Sequence, residues 1–461
     1  MRSRHRAIVA AAAVLATMLS SGSTARAGGA QLWEIGTPDV GLAAAGWAAR
    51  AEDAATVFKN PAGMSLLDTP QLELGLQATY GRFEFSSSSA TTVAGDDGGN
   101  AVGLLPGGSV FWAQPVHDRV AIGVGVFSYI GSALNYDSGF VGRYHVDDTA
   151  LIGLSFMPAV SVRLTDWLTL GAGFHVMVGL FNYEVAVNNP EPALDDGRLE
   201  VNDTDVGFGA NAGILAQVTD RTRIGATYLS PVKLGFSMPT SFTGLGAVLT
   251  NSLGTSGLLD ATLKADITVP QSVVVSVHHA FDARWAVMGN VGWQDWSRFG
   301  LIGIDVASTM PSSLTLDRSY KDTAHVAIGA RYRPVEPWIF STGFAYDSSS
   351  VGDANRTLDA PMGQSFRFGV GGEWQVVPAV QLGLAYTLAW FGDMPVDQTG
   401  GPLSGDVAGS FERTALHVIM MSLIWHVGAT STPPANPAPS GPSPASAPPT
   451  SPSPTSAPPA T

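Results

Sequence analysis

The chain has no cysteine in 461 residues. That excludes a disulfide framework, a thiol nucleophile and cysteine-ligated zinc. Charge is also scarce, at 13% of residues, and 38 acids outweigh 24 Lys and Arg. The net charge of −14 makes the chain a poor electrostatic match for nucleic acid. Past residue 27 no apolar run reaches the ~18–20 residues of a membrane helix. There is no nucleophile elbow, zinc spacing or P-loop. His278 and His279 are adjacent in a strand-like segment, so they point to opposite faces and cannot chelate one metal together. Neither an enzyme nor a cofactor or metal is therefore expected.

What is present begins with a leader. Arg2, Arg4 and Arg6 form a positive start, Ala7 to Ser21 an apolar stretch, and Ala25 and Ala27 a small-residue cleavage pattern. Residues 1–27 read as a secretory signal peptide. Removing them takes away Arg2, Arg4, Arg6 and Arg26 and no acid, so −14 becomes −18.

The remainder alternates. In 151–164, Ile152, Leu154, Phe156, Val160, Val162 and Leu164 share one face, against Gly153, Ser155, Ala159, Ser161 and Arg163. In 167–180, Leu168, Leu170, Phe174, Val176, Val178 and Leu180 oppose Thr169, Gly171, Gly173 and His175. This is the period of a strand, held for longer than the roughly five or six residues of a soluble one. The pattern recurs as six hairpins with tight turns, near residues 117, 165, 220, 282, 335 and 377. Segments 71–85 and 415–427 flank them, which makes fourteen strands, an even number as bacterial barrels have.

Seven long connections, at 86–106, 132–150, 188–202, 238–262, 298–320, 348–363 and 392–411, alternate with the tight turns. Trp167, Trp285, Trp338 and Trp374 lie beside the tight turns, and Tyr346, Tyr386 and Trp390 toward the long loops. Two unlike rims, each with amphipathic aromatics, describe an outer-membrane barrel. No amphipathic helices are available to cover the apolar face, so it must meet lipid, and only a closed barrel satisfies its backbone there. The expected fold is all-β: a 14-stranded antiparallel transmembrane barrel over 71–427. Residues 28–70 lack the alternation and contain Asn60-Pro61-Ala62, where Pro61 favours a turn. They are expected to form a hatch plugging the lumen. Residues 428–461 are rich in Pro, Ser and Ala, without charge or aromatics, and are expected to be a disordered periplasmic tail that transport does not need.

The quoted residues resemble the FadL-type outer-membrane transporters of long-chain fatty acids and other hydrophobic molecules, which include TodX-like aromatic-hydrocarbon channels. The resemblance is carried by "GGAQLWEIG", "AEDAATVFKNPAGM", "GFGANAGIL", "WQDWS", "SYKDTAHVAIG" and "TGFAYDSS", in family order over residues 28–427. It implies a fourteen-stranded barrel closed by an N-terminal hatch and passive uptake, with capture among the extracellular loops and sideways release into the membrane through an inward kink in the third strand. Long-chain fatty acids are the expected substrate, with aromatic hydrocarbons as the alternative. An outer-membrane hydrolase, or an open porin, is the alternative from another class.

The loop 238–262 is apolar for a solvent-facing segment, and such patches bind something. Phe242, Leu245, Val248, Leu249, Leu253, Leu258 and Leu259 are the candidate capture groove. Ala121, Gly123 and Gly125 fall on the inward face of the third strand and are the candidate lateral portal. Arg163, Arg223, Lys233, Lys264, Lys321, Arg331, Arg333 and Arg367 share the inward phase. Among them Lys321 matches the family lysine that meets the substrate carboxylate. The expected partners are a hydrophobic small molecule, outer-membrane lipids and the barrel-assembly machinery, with the chain a monomer.

Overall fold

A computed structural model describes residues 28–308, 311–400 and 404–428. The expected signal peptide and nearly all of the expected tail lie outside the described residues. A closed 14-strand antiparallel barrel forms the body. Its strands are β1 (Gln71–Arg82), β2 (Gly103–His117), β3 (Val120–Asn135), β4 (Asp148–Arg163), β5 (Leu168–Val187), β6 (Gly197–Thr219) and β7 (Thr222–Leu229). The ring continues with β8 (Ser272–Ala280), β9 (Trp285–Gln294), β10 (Thr323–Tyr332), β11 (Trp338–Asp347), β12 (Ser365–Val377), β13 (Val380–Thr399) and β14 (Asp406–His426). It closes where Gln71 of β1 pairs with His426 of β14. The alternation holds: Phe156, Val160, Leu170 and Phe174 are exposed on the outer surface, while Ser155, Ser161, Thr169 and His175 are buried. Trp338 and Trp374 stack at 5.7 Å beside the tight turns.

Three connections differ from expectation. The segments 223–236 and 264–281 each read as one strand, but each breaks in two, at Pro231 and at Pro270. Proline cannot donate to the ladder, so pairing with the barrel stops there. The outer pieces Val232–Pro239 and Thr262–Val269 join Leu301–Ala307 and Ser312–Asp317 in a separate four-stranded sheet on the long-loop rim. Residues 298–320 are thus largely a hairpin. Lys233 and Lys264 lie on this outer sheet, exposed, and not on the lumen face that strand phase suggested. Residues 392–411 likewise continue the β13–β14 ladder as far as Thr399↔Asp406.

The segment 32–67 is almost entirely buried. It holds the short helical turns Pro38–Leu42, Thr56–Lys59 and Pro61–Leu66. Its backbone touches inward positions on strands all around the ring. The Gly46 amide donates to Asn290 Oδ1 of β9 (2.8 Å), the Ala48 amide to Ser276 Oγ of β8 (2.9 Å), and the Gly36 amide to Gln77 Oε1 of β1 (3.0 Å). Several wall glycines are what permit this approach. A Cβ on Gly371 would stand 3.2 Å from the Gly41 Cα, and one on Gly225 2.6 Å from the Ala48 carbonyl carbon. Part of the chain's glycine content is therefore a contact surface for the segment inside.

Candidate functional site

Asn60-Pro61-Ala62 ties the inner segment together and to the wall. Asn60 stands before the turn Pro61–Leu66, and its Oδ1 accepts from the Ala62 amide at 3.1 Å. Its Nδ2 donates to the Ala48 carbonyl (2.7 Å) and to the Ile214 carbonyl of β6 (3.1 Å). One side chain thus fixes the turn, the segment and the barrel. Asn60→Ala leaves two buried carbonyls short of a donor, at a cost of about 1–3 kcal/mol each if water does not reach them. The variant is expected to leak small polar solutes in a liposome-swelling assay. Swelling equal to the wild type would show that Asn60 does not hold the segment in place.

Beside it lies a buried ion cluster. Arg50 Nε donates to Asp39 Oδ1 at 2.8 Å, Lys59 Nζ to Asp53 Oδ1 at 2.9 Å, and Arg50–Asp53 and Lys59–Asp39 complete the square. All four side chains are at most 3% exposed. Two of the lumen cations read from strand phase also find acids close by. Arg331 pairs with Glu373 at 2.7 Å and with Glu52, while Arg367 pairs with Glu34 at 3.2 Å and with Asp347.

The wall itself has a gap. The β2–β3 ladder ends at Val110↔Val126. Beyond it β2 stays paired to β1 as far as Gly103, and β3 stays paired to β4 as far as Asn135. A register shift between Ser128 and Ile130 bends β3 there, and residues 28–31 pair with its freed edge, with Gly28↔Ser132 and Gln31↔Ile130. A crevice of about 120 Å³ fills the gap, lined by Leu32 and Glu34 of the inner segment, Gly107 and Gly108 of β2, Gly131 of β3 and the outward Ile152 of β4. Ala121, Gly123 and Gly125 sit below it, within the paired ladder. A Cβ on Gly123 would stand 2.5 Å from the Val57 side chain, so this glycine accommodates the inner segment.

On the long-loop rim, under the four-stranded sheet, lies an apolar cavity of about 290 Å³. Leu151, Phe181, Val201, Met238, Leu263 and Phe299 are among its lining residues, and Arg318 and Asp359 are the charged ones among the described residues that line it. The expected capture residues are not brought into it. Phe242, Leu245, Leu249, Leu253, Leu258 and Leu259 are half-buried and Val248 is exposed, on and around the helix Ala247–Thr255. Glu191 and Asn189 accept from the Val248 and Gly246 amides at that helix's start (2.9 and 2.8 Å), so the acidic loop before β6 supports this one. Lys321 is exposed ahead of β10 and does not line the cavity. The strand phase that pointed Lys321 inward does not extend past the start of β10. Arg318 was missed because residues 298–320 were read as a loop. As a strand, Leu316 and Arg318 are alternate positions, and both face the cavity.

The hydrolase alternative needs a Ser–His pair open to substrate. Ser155 Oγ and His175 Nε2 are 2.9 Å apart, but both are fully buried and His175 Nδ1 has no hydrogen-bond partner to orient it.

A closed barrel with a lipid-facing surface, a tightly packed lumen and an apolar chamber at one rim defines a transport barrel of the outer membrane. Residues 18–421 match the outer membrane protein transport protein family (OMPP1/FadL/TodX), and the chain belongs to it. It is 28% identical over 427 residues to outer membrane protein P1 of Haemophilus influenzae, spanning 81% of this chain and 89% of that protein. It is 25% identical over 386 residues to the long-chain fatty acid transport protein of Escherichia coli K12, spanning 74% and 83%. In fold it is similar to a Pseudomonas aeruginosa FadL homologue (TM-score 0.76, 21% identity, 86% of this chain and 99% of that one). The Pseudomonas putida toluene transporter TodX is also similar (TM-score 0.62, 18% identity, 86% and 99%).

Proposed function

We propose that the protein takes up hydrophobic small molecules passively across the outer membrane and releases them sideways. The molecule enters the rim cavity from the extracellular side, passes to the crevice between β2 and β3, and leaves into the bilayer without crossing the lumen. Residues 28–70 act as a hatch, which argues against an open porin. The observation that carries this reading is the end of the β2–β3 ladder at Val110↔Val126, because a wall that is unpaired on one side can pass an apolar molecule directly to lipid. The relatives named above are a long-chain fatty acid transporter and a toluene transporter, so either class of cargo agrees with the family.

The exit is tested by filling it. At Gly107 the nearest atoms to an added Cβ are 3.7 Å away on Gln77, so a side chain can start there in ordinary contact. Gly107→Trp is expected to cut uptake of a labelled hydrophobic cargo by roughly tenfold or more, equivalent to about 1.4 kcal/mol per decade. Equilibrium binding of the cargo should be unaffected. Uptake at the wild-type rate would eliminate the lateral exit.

A further inference from the structure

We infer that Asp359 sets the charge preference of the rim cavity, neutralising Arg318 so that the cavity takes an uncharged hydrophobic molecule in preference to a carboxylate. The inference rests on the proposal that this cavity is the substrate site. Arg318 holds Asp359 with both terminal nitrogens, Nη1 to Oδ1 at 3.0 Å and Nη2 to Oδ2 at 2.5 Å. Nη1 also donates to Thr357 Oγ1 at 3.0 Å. Such a parallel, two-bond pair is the strongest geometry open to a guanidinium. Burial by itself would push the Asp359 carboxyl up, but the charge and hydrogen bonds of Arg318 outweigh it and hold the group below its usual range, so the pair stays ionised. The positions of the pair are held from both sides. The Arg318 amide donates to the Gly300 carbonyl at 2.9 Å, and the Leu358 amide to Gln398 Oε1 at 3.1 Å.

With one cation and one anion, the lining carries no net charge. An incoming carboxylate must displace Asp359 from Arg318 or lie against a second carboxylate in an apolar enclosure, where like charges repel strongly. Arg356, on the same segment, offers no substitute. It does not line the cavity, and it is taken up by Asp353 and by the Met362 and Pro395 carbonyls. An uncharged molecule with a long apolar body, or an alcohol that only needs one acceptor, meets neither cost. The cavity volume lies at the lower edge of the roughly 300–1,000 Å³ typical of small-molecule sites, which suits a slender ligand.

The experiment compares hexadecanol with hexadecanoate at pH 8, binding to the full chain in nanodiscs by displacement of a fluorescent hydrophobic probe. For the wild type, hexadecanol is expected to bind roughly tenfold more tightly. Asp359→Asn frees Arg318 and is expected to strengthen hexadecanoate by about tenfold or more while leaving hexadecanol within about threefold. Asp359→Glu keeps the charge and should retain the wild-type order. Should Asp359→Asn not assemble, the double variant Arg318→Met, Asp359→Leu removes both charges and should keep the alcohol preference. Wild type that favours hexadecanoate, or a ratio unchanged by Asp359→Asn, overturns the inference and leaves the cavity as substrate site. Binding of neither ligand by the wild type overturns both.

Discussion

Gly343→Val is expected to drive the inner segment off the wall and turn a tight barrel into a leaky one. Gly343 faces inward on β11, and a Cβ there would stand 2.8 Å from the Leu42 Cα and closer still to its carbonyl. The obstacle is backbone, so no rotamer change relieves it. Overpacking of this kind costs about 3 kcal/mol or more, and at about 1.4 kcal/mol per decade this shifts the segment's equilibrium roughly a hundredfold. Valine suits a strand, so the barrel itself should assemble. Conductance across planar bilayers should rise from a closed baseline to frequent open events. Gly372→Val is the control, because its nearest atoms belong to Phe340 at 3.7 Å and none to the inner segment. An assembled Gly343→Val barrel as closed as the control would show that residues 28–70 do not block the lumen.

Asp39→Asn should act on the same segment from within. It leaves Lys59 with Asp53 alone and Arg50 with Asp53 and the more distant Glu52 (3.7 Å), deep in a buried ionic cluster. Removing one partner of a buried ionic set costs about 3–5 kcal/mol, because the remaining charge is uncompensated. The expected result is faster hydrogen exchange across 37–60 together with stepwise conductance. The pair Asp39→Asn, Lys59→Met restores the charge balance and should recover part of the loss, which a double-mutant cycle measures. Equal leakage from the single and double variants would mean that charge balance is not what holds the segment.

Reading from sequence succeeded where one period governs a whole element. Phe174 and His175 are neighbours in the chain, yet one meets lipid and the other is buried, and alternation alone assigns both. It failed where strands leave the barrel. Pro231 and Pro270 interrupt segments whose apolar pattern runs on, so two rim-sheet strands read as barrel wall, while Leu301–Ala307, Ser312–Asp317, Arg318 and Asp359 read as loop. Lys321 shows the reverse error, a strand phase extended beyond the strand's end. The portal was read on Ala121, Gly123 and Gly125; of these Gly123 faces Val57 of the inner segment, and the β2–β3 ladder ends further along, at Val110↔Val126.

By itself, the sequence determined the barrel class, the number of strands and which side chains face lipid, because these follow from a two-residue period and from the need of every backbone group in a bilayer for a partner. Only the tertiary structure decided which cation meets which anion, where the wall parts and which residues line the rim cavity. Those depend on contacts between positions hundreds of residues apart, such as Val40 with Thr387 or Trp33 with Asp347, and no local pattern encodes a distance across the lumen.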